Sequence, residues 1–246
     1  MTENRVLFDY DRAARTSVPE AVFCQSKSRE VIYSLMEEFS QADAPAILFT
    51  RLSEEVFSSC PAEVSRHYSF DSLARIAFCK KLDQEHQGSV AVVSAGTADG
   101  FVTWEAARTL EFMNIPFQVF EDCGVAGLWR LENKIEEINR HRIIIAVAGM
   151  EAALGSVLAG LTSRPIIGVP TSVGYGVCDG GKTALNSLLA CCSPGLSVVN
   201  IDNGFGAACT AAKTLSSFGC SSNDSSFPRY RISPRSRSLR RACSPS

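Results

Sequence analysis

The sequence predicts a three-layer α/β/α fold built on a doubly wound parallel sheet, preceded by a small N-terminal α/β segment. Three observations carry that expectation. From Ser89 onward, short apolar runs alternate with helix-like stretches, the strand-like runs end in glycine-containing turns, and each connection is long enough to hold a crossover helix. Ligands are therefore expected at the carboxyl ends of the strands.

In order, residues 1–87 read as the small segment. Helical spacing of Val31, Ile32, Leu35, Met36 and Phe39 is followed by strand-like runs at Ala46 to Phe49 and Ala74 to Phe78. His86 to Gly88 reads as a linker. Residues 88–215 form the main α/β domain, with strands predicted at Ser89 to Ser94, Phe117 to Phe120, Ile143 to Ala148, Pro165 to Val169 and Ser197 to Ile201. Helices are predicted near Val102 to Met113, Gly127 to Asn139, Glu151 to Leu161, Gly181 to Cys191 and from about Phe205. Residues 216–246, rich in Ser, Arg and Pro, are expected to be a disordered tail.

The totals exclude several classes. A chain of 246 residues with 46% hydrophobic and 20% charged residues can bury a full core, and its net charge of -2 disfavours nucleic acid or an acidic membrane as partner of the folded part. Ten cysteines form no disulfide framework and no apolar leader precedes them, so a reducing cytoplasm is expected. The apolar run Ile143 to Leu161 carries Glu151 beside glycines, which suits strand, loop and helix better than a membrane span.

Chemistry-bearing residues fall in the turns. Ser94 to Asp99 follows a strand and precedes a helix, so Ser94, Gly96 and Thr97 can hold a phosphate or carboxylate; Asp99 reads equally as the N-cap of the next helix. Glu151, after Gly149 and Met150, either opens a helix and complements its dipole or faces the ligand edge. Thr171, Ser172, Gly174, Tyr175 and Gly176 form a glycine-rich loop through which backbone can approach a phosphate or ribose. Most of the cysteines read as small buried hydrophobes, leaving Cys191 and Cys192 as candidate reactive thiols.

Taken as a set, these blocks resemble the LarB family of pyridinium-3,5-biscarboxylic acid mononucleotide synthases, related to the PurE carboxyaminoimidazole ribonucleotide mutases. The resemblance runs from about Phe8 to Leu215 through Gly96, Thr97 and Asp99, Asp122 to Gly127, Val147 to Leu154, Pro170 to Gly176, Cys192 to Gly195 and Val198 to Gly206. Asp11, Arg12, Pro19, Glu20, Phe23 and Lys27 look like that family's opening segment. Ala98 and Cys191 stand where the family usually has Ser.

The resemblance implies a PurE-like, flavodoxin-like sheet and a cytoplasmic homo-oligomer, an octamer in relatives. It implies carboxylation of nicotinic acid adenine dinucleotide by carbon dioxide or bicarbonate, with magnesium assisting cleavage to AMP. Cys192 would attack the ring, and Glu151 or Asp99 would remove the proton. Ser94, Gly96, Thr97, Gly149, Met150, Thr171 to Gly176 and Asn203 would hold the substrate. Two other functions compete. One is a PurE-type carboxylase or mutase acting on aminoimidazole ribonucleotide, though Glu121 to Gly127 lacks that family's histidine loop. The other is a nucleotide-binding remnant without catalysis.

Overall fold

The computed structural model describes residues 8–84 and 86–218 and holds two sheets. The first is built from β1 (Ala21–Phe23), β2 (Leu48–Thr50), β3 (Ser69–Asp71) and β4 (Ile76–Phe78), in the order β1-β2-β4-β3. β1 and β2 are parallel, whereas β4 runs antiparallel to both of its neighbours. Around this sheet lie α1 (Arg12–Thr16), α2 (Arg29–Phe39), α3 (Glu54–Ser58) and α4 (Ala62–Ser65). Ser28 starts α2 by accepting the Val31 amide, and Ile32, Leu35, Met36 and Phe39 form its buried stripe. The sequence reading found α2, β2 and β4. It missed β1, β3 and the short helices, whose few residues carry too little periodicity to register.

The second sheet is wholly parallel: β5 (Val90–Ser94), β6 (Phe117–Phe120), β7 (Ile143–Ala148), β8 (Ile166–Pro170) and β9 (Leu196–Val198), in the order β6-β5-β7-β8-β9. Its strands are near-continuous apolar runs because both faces are covered. Val90, Val92, Ile143, Ile145, Val147, Ile167 and Val169 point to α5 (Gly100–Phe112) and α10 (Gly204–Phe218). The alternate residues Ala91, Val93, Ile144, Ala146 and Ile166 point to α6 (Trp129–Glu132), α7 (Ile135–Ile138), α8 (Ala153–Leu161) and α9 (Lys182–Leu189). This is the expected three-layer, doubly wound arrangement. Leu48, Ile76 and Phe78 of the first sheet, with Ala74 from the turn between β3 and β4, join the α5 side of the core, so the N-terminal segment rests on that layer.

Several boundaries differ from expectation, each for a local reason. The helix expected over Gly127 to Asn139 is broken into α6 and α7, because Lys134 N–H closes back on Leu131 in a tight turn. α8 begins at Ala153 rather than Glu151, since Met150 and Ala152 are both left-handed. α9 ends at Leu189, leaving Cys191 and Cys192 beyond it. β9 ends at Val198, three residues short of Ile201. α10 runs through the first residues of the expected tail, Ser216 donating to the Ala212 carbonyl and Ser217 to that of Thr214. The rest of the expected tail, 219–246, lies outside the described residues. Among the described residues no helix is long and apolar enough to cross a membrane; the run from Ile143 divides into β7, a turn and α8.

Candidate functional site

The order of the parallel sheet reverses direction at β5, so the crevice between the carboxyl ends of β5 and β7 is the topological switch point. A cavity of about 350 Å³ opens there. It is lined after β5 by Ala95, Gly96, Ala98 and Asp99, after β6 by Asp122, Gly124 to Ala126 and Arg130, after β7 by Ala148 to Leu154, and by Val173. Much of the wall is alanine, valine, leucine and methionine, and its charged groups are Asp99, Asp122, Glu151 and Arg130. Among the described residues no histidine lines it.

Asp99 is the buried centre of this site, 3% exposed. It makes no capping bond to α5. Its carboxylate instead accepts the Gly96 amide at 3.0 Å and the Thr171 hydroxyl at 2.7 Å. Burial raises its pKa, against the lowering effect of Thr171 and the Gly96 and Gly149 amides. A carboxyl tuned upward in a cleft is suited to carrying a proton.

Glu151 is exposed at the cavity wall, held in a turn between two left-handed residues. Met150 N–H donates to the Val173 carbonyl at 2.8 Å and fixes that turn against the loop after β8. Gly149 has to be glycine in this geometry, because a Cβ there would stand 2.3 Å from the Val173 oxygen and 2.7 Å from the Thr171 hydroxyl.

Of the other expected substrate-binding residues, Gly96, Gly149 and Met150 line the cavity. Ser94 is fully buried behind it with its hydroxyl unpaired, and Thr171 is buried with its hydroxyl committed to Asp99. Thr97 is exposed outside the cavity lining. Ser172 donates its amide to the Asp202 carboxylate at 2.7 Å, and Gly174 packs on Cys178. Tyr175 is 77% exposed and Gly176 is left-handed, neither reaching the cavity wall. Asn203 is occupied at the start of α10, accepting the Gly206 amide at 2.8 Å.

Cys192 stands apart. It lies in the loop from α9 into β9, and in a parallel sheet a helix-to-strand loop is at the amino edge, opposite the turns that bear Asp99 and Glu151. Five-residue β8 alone separates those edges by about 16 Å. Cys192 is the one exposed cysteine among the described residues. Cys191 beside it is partly buried, its pKa lowered by the Ser156 hydroxyl. Burial pushes Cys24 and Cys209 up to about 12, which makes both inert.

The sequence reading quoted Asp122 within a motif but gave it no role in the site, and it missed Arg130; the two pair at 2.8 Å in the cavity wall. Asp122 lies in the turn leaving β6, beside β5 and its Asp99 turn, whereas Arg130 lies further on, in α6. Among the described residues no group of three His, Cys, Asp or Glu side chains converges as a metal site. The described residues therefore offer magnesium no all-protein cage.

Comparison with known proteins agrees with this architecture. The AIR carboxylase family matches residues 89–224, and the LarB/PurE-like N-terminal domain matches residues 4–81. The chain belongs to the LarB family of PurE-related proteins. The match extends past Leu215, where the resemblance read from the sequence stopped. Uncharacterized protein MJ0165 of Methanocaldococcus jannaschii is 35% identical over 212 residues, covering 83% of this chain and 82% of that one. An N5-carboxyaminoimidazole ribonucleotide mutase of the same organism is 30% identical over 131 residues, 51% of this chain and 78% of that one. A probable enzyme of the same name from Methanothermobacter thermautotrophicus is 26% identical over 135 residues, 54% of this chain and 39% of that one. These findings place the chain in a PurE-related carboxylase family.

Proposed function

We propose that this LarB-family chain carboxylates the pyridinium ring of nicotinic acid adenine dinucleotide in the cytoplasm and hydrolyses its phosphoanhydride, giving the 3,5-dicarboxylated mononucleotide and AMP. The observation that carries this reading is the cavity wall, where Asp99, Asp122 and Glu151 stand among apolar side chains and, among the described residues, no histidine is present. Three carboxylates suit a cationic ring, whereas the purine reaction would lack the histidine that moves its proton.

The chemistry follows from an electron-poor ring. A thiolate adds at the carbon para to nitrogen, forming a C–S bond and an enamine whose meta carbon attacks carbon dioxide. Glu151 or Asp99 then removes the proton from that carbon, the C–S bond breaks, and aromaticity returns. The net change exchanges C–H for C–carboxylate with release of one proton. Water cleaves the phosphoanhydride separately.

Cys192 is the thiol in this reading, and its place on the amino edge sets a condition. A neighbouring copy in the homo-oligomer has to bring its Cys192 to this chain's cavity. The test incubates protein with the dinucleotide, labelled bicarbonate and magnesium, and follows the products by mass spectrometry. Cys192→Ala and Glu151→Gln are each expected to lose turnover; assembled together from equal amounts, they should restore about one site in four. Labelled dicarboxylated mononucleotide in the wild type and none in either variant supports the reaction. Failure of the mixture to recover activity refutes a thiol supplied by a second copy.

A further inference from the structure

Arg130 is the one cation among the described residues lining the cavity, facing three carboxylates. Its guanidinium is held in place on two sides: Nη1 donates to Asp122 Oδ2 at 2.8 Å and Nη2 to the Gly124 carbonyl at 3.2 Å. Nε is buried without a partner. Two glycines make room for the group. A Cβ at Gly127 would come within 3.1 Å of Nε, and one at Gly124 within 3.4 Å of Nη2 and 2.7 Å of the Ala95 carbonyl oxygen. A guanidinium carries five N–H donors, so two bonds leave it under-used. Asp122 is half exposed, so solvent weakens its hold on the guanidinium.

We propose that Arg130 is the substrate-carboxylate anchor of this cavity, holding the ring carboxylate on the β6 side so that the carbon to be carboxylated faces Glu151. This rests on the reading of the substrate as a carboxylated pyridinium. The sheet order gives the geometry. Arg130 follows β6, Asp99 follows β5 and Glu151 follows β7, so Arg130 and Glu151 flank the Asp99 turn from strands about 10 Å apart, two strand spacings. Electrostatics fixes the direction in which the ring lies. Its positive nitrogen is welcome among the carboxylates, whereas its own carboxylate is repelled everywhere along the wall except at Arg130. On a ring bearing a carboxylate at one meta position, the second meta carbon points away from the first, which here is toward Glu151. The amide analogue presents no negative charge for Arg130 to hold.

The experiment compares binding of nicotinic acid adenine dinucleotide and nicotinamide adenine dinucleotide by titration calorimetry, using the full-length oligomer. The wild type should prefer the acid by about 10-fold or more, the worth of a charge-assisted pair. Arg130→Gln should lose that preference by weakening the acid alone, and Arg130→Lys should keep part of it. Asp122→Asn removes the competing carboxylate and one negative charge from the wall, so the ratio of acid to amide affinity should rise, whatever both lose through the ring's positive charge. This second variant decides the matter if Arg130→Gln does not fold. Equal weakening of both dinucleotides in Arg130→Gln, an unchanged acid preference, or no preference in the wild type overturns the proposal. Because the readout is binding, a protein that anchors the acid through Arg130 without carboxylating it refutes the proposed reaction and not the anchor. Turnover of the dinucleotide with an acid preference untouched by Arg130→Gln does the reverse.

Discussion

Besides its apolar packing, the N-terminal segment is joined to the cavity-bearing sheet by a buried carboxylate, and removing its partner should be costly. Glu105, 1% exposed in the middle of α5, accepts the Thr50 hydroxyl at 2.8 Å, Arg51 Nε at 2.7 Å and the Phe205 amide at 3.2 Å. Arg51 also donates to the carbonyl of Asp202 and lies over the Phe101 ring at 4.8 Å. Asp202 in turn holds the amide of Ser172, so the contact ties β2 of the first sheet to the loops at the carboxyl edge of the second. Arg51→Met leaves Glu105 charged with only a hydroxyl and an amide. Breaking a buried pair this way costs about 3–5 kcal/mol, and the Arg51 side chain's 19% exposure argues for the lower end. At about 2–4 °C of melting temperature per kcal/mol in a chain this size, about 3 kcal/mol is a fall of about 6–12 °C. Differential scanning calorimetry at one protein concentration reads it, which holds any contribution from self-association constant. The double variant Arg51→Met with Glu105→Leu should recover part of the loss, because no charge is then stranded. A melting temperature within about 2 °C of wild type for Arg51→Met would refute the reasoning.

Two further outcomes concern the cavity itself. The Asp99 carboxyl has a folded pKa above its ordinary 3.8, so the folded state binds more protons than the unfolded chain in the window that opens near 3.8 and extends upward. Asp99 therefore contributes stability below that window and loses it as pH rises through the folded pKa. Asp99→Asn should lack this slope, so urea midpoints of variant and wild type should diverge in the variant's favour between acid and neutral pH; parallel curves would contradict a raised pKa. Gly149→Ala forces a methyl onto the Val173 carbonyl and the Thr171 hydroxyl. It should cost about 1–3 kcal/mol in urea unfolding and abolish dinucleotide binding, and a variant with wild-type binding would show that the turn tolerates a side chain.

The second sheet was legible because its strands advertise themselves. Ile143 to Ala148 is apolar at every position, as only a strand covered on both faces can be, and its limits matched the prediction residue for residue. The three-residue strands of the first sheet show no such run, and β1 and β3 each pair with a single neighbour. Within the site, Gly149 and Met150 were found because a glycine turn after a strand is a local signal. Arg130 was not, because it lies eight residues beyond its partner Asp122, across a 3-10 turn and the start of a helix whose direction no local pattern gives.

Cys192 shows the difference between a motif and a position. Its motif marks it as the nucleophile of the resembled family, and the alternation of elements already places it after a helix and before a strand. In a parallel sheet that order means the amino edge, just as the order at Asp99 and Glu151, after a strand and before a helix, means the carboxyl edge. No rearrangement of side chains within one chain exchanges those edges, because they are fixed by the direction of β7, β8 and β9. A reaction that needs Glu151 and Cys192 on one ring therefore needs two chains. The loop that carries the thiol is exposed, with Leu189 65% exposed beside it, while the opposite edge presents Tyr175 and the 91% exposed Val177. Apolar groups left at both edges are what a head-to-tail contact between copies would cover, and such a contact is the arrangement that brings an amino edge to a carboxyl edge.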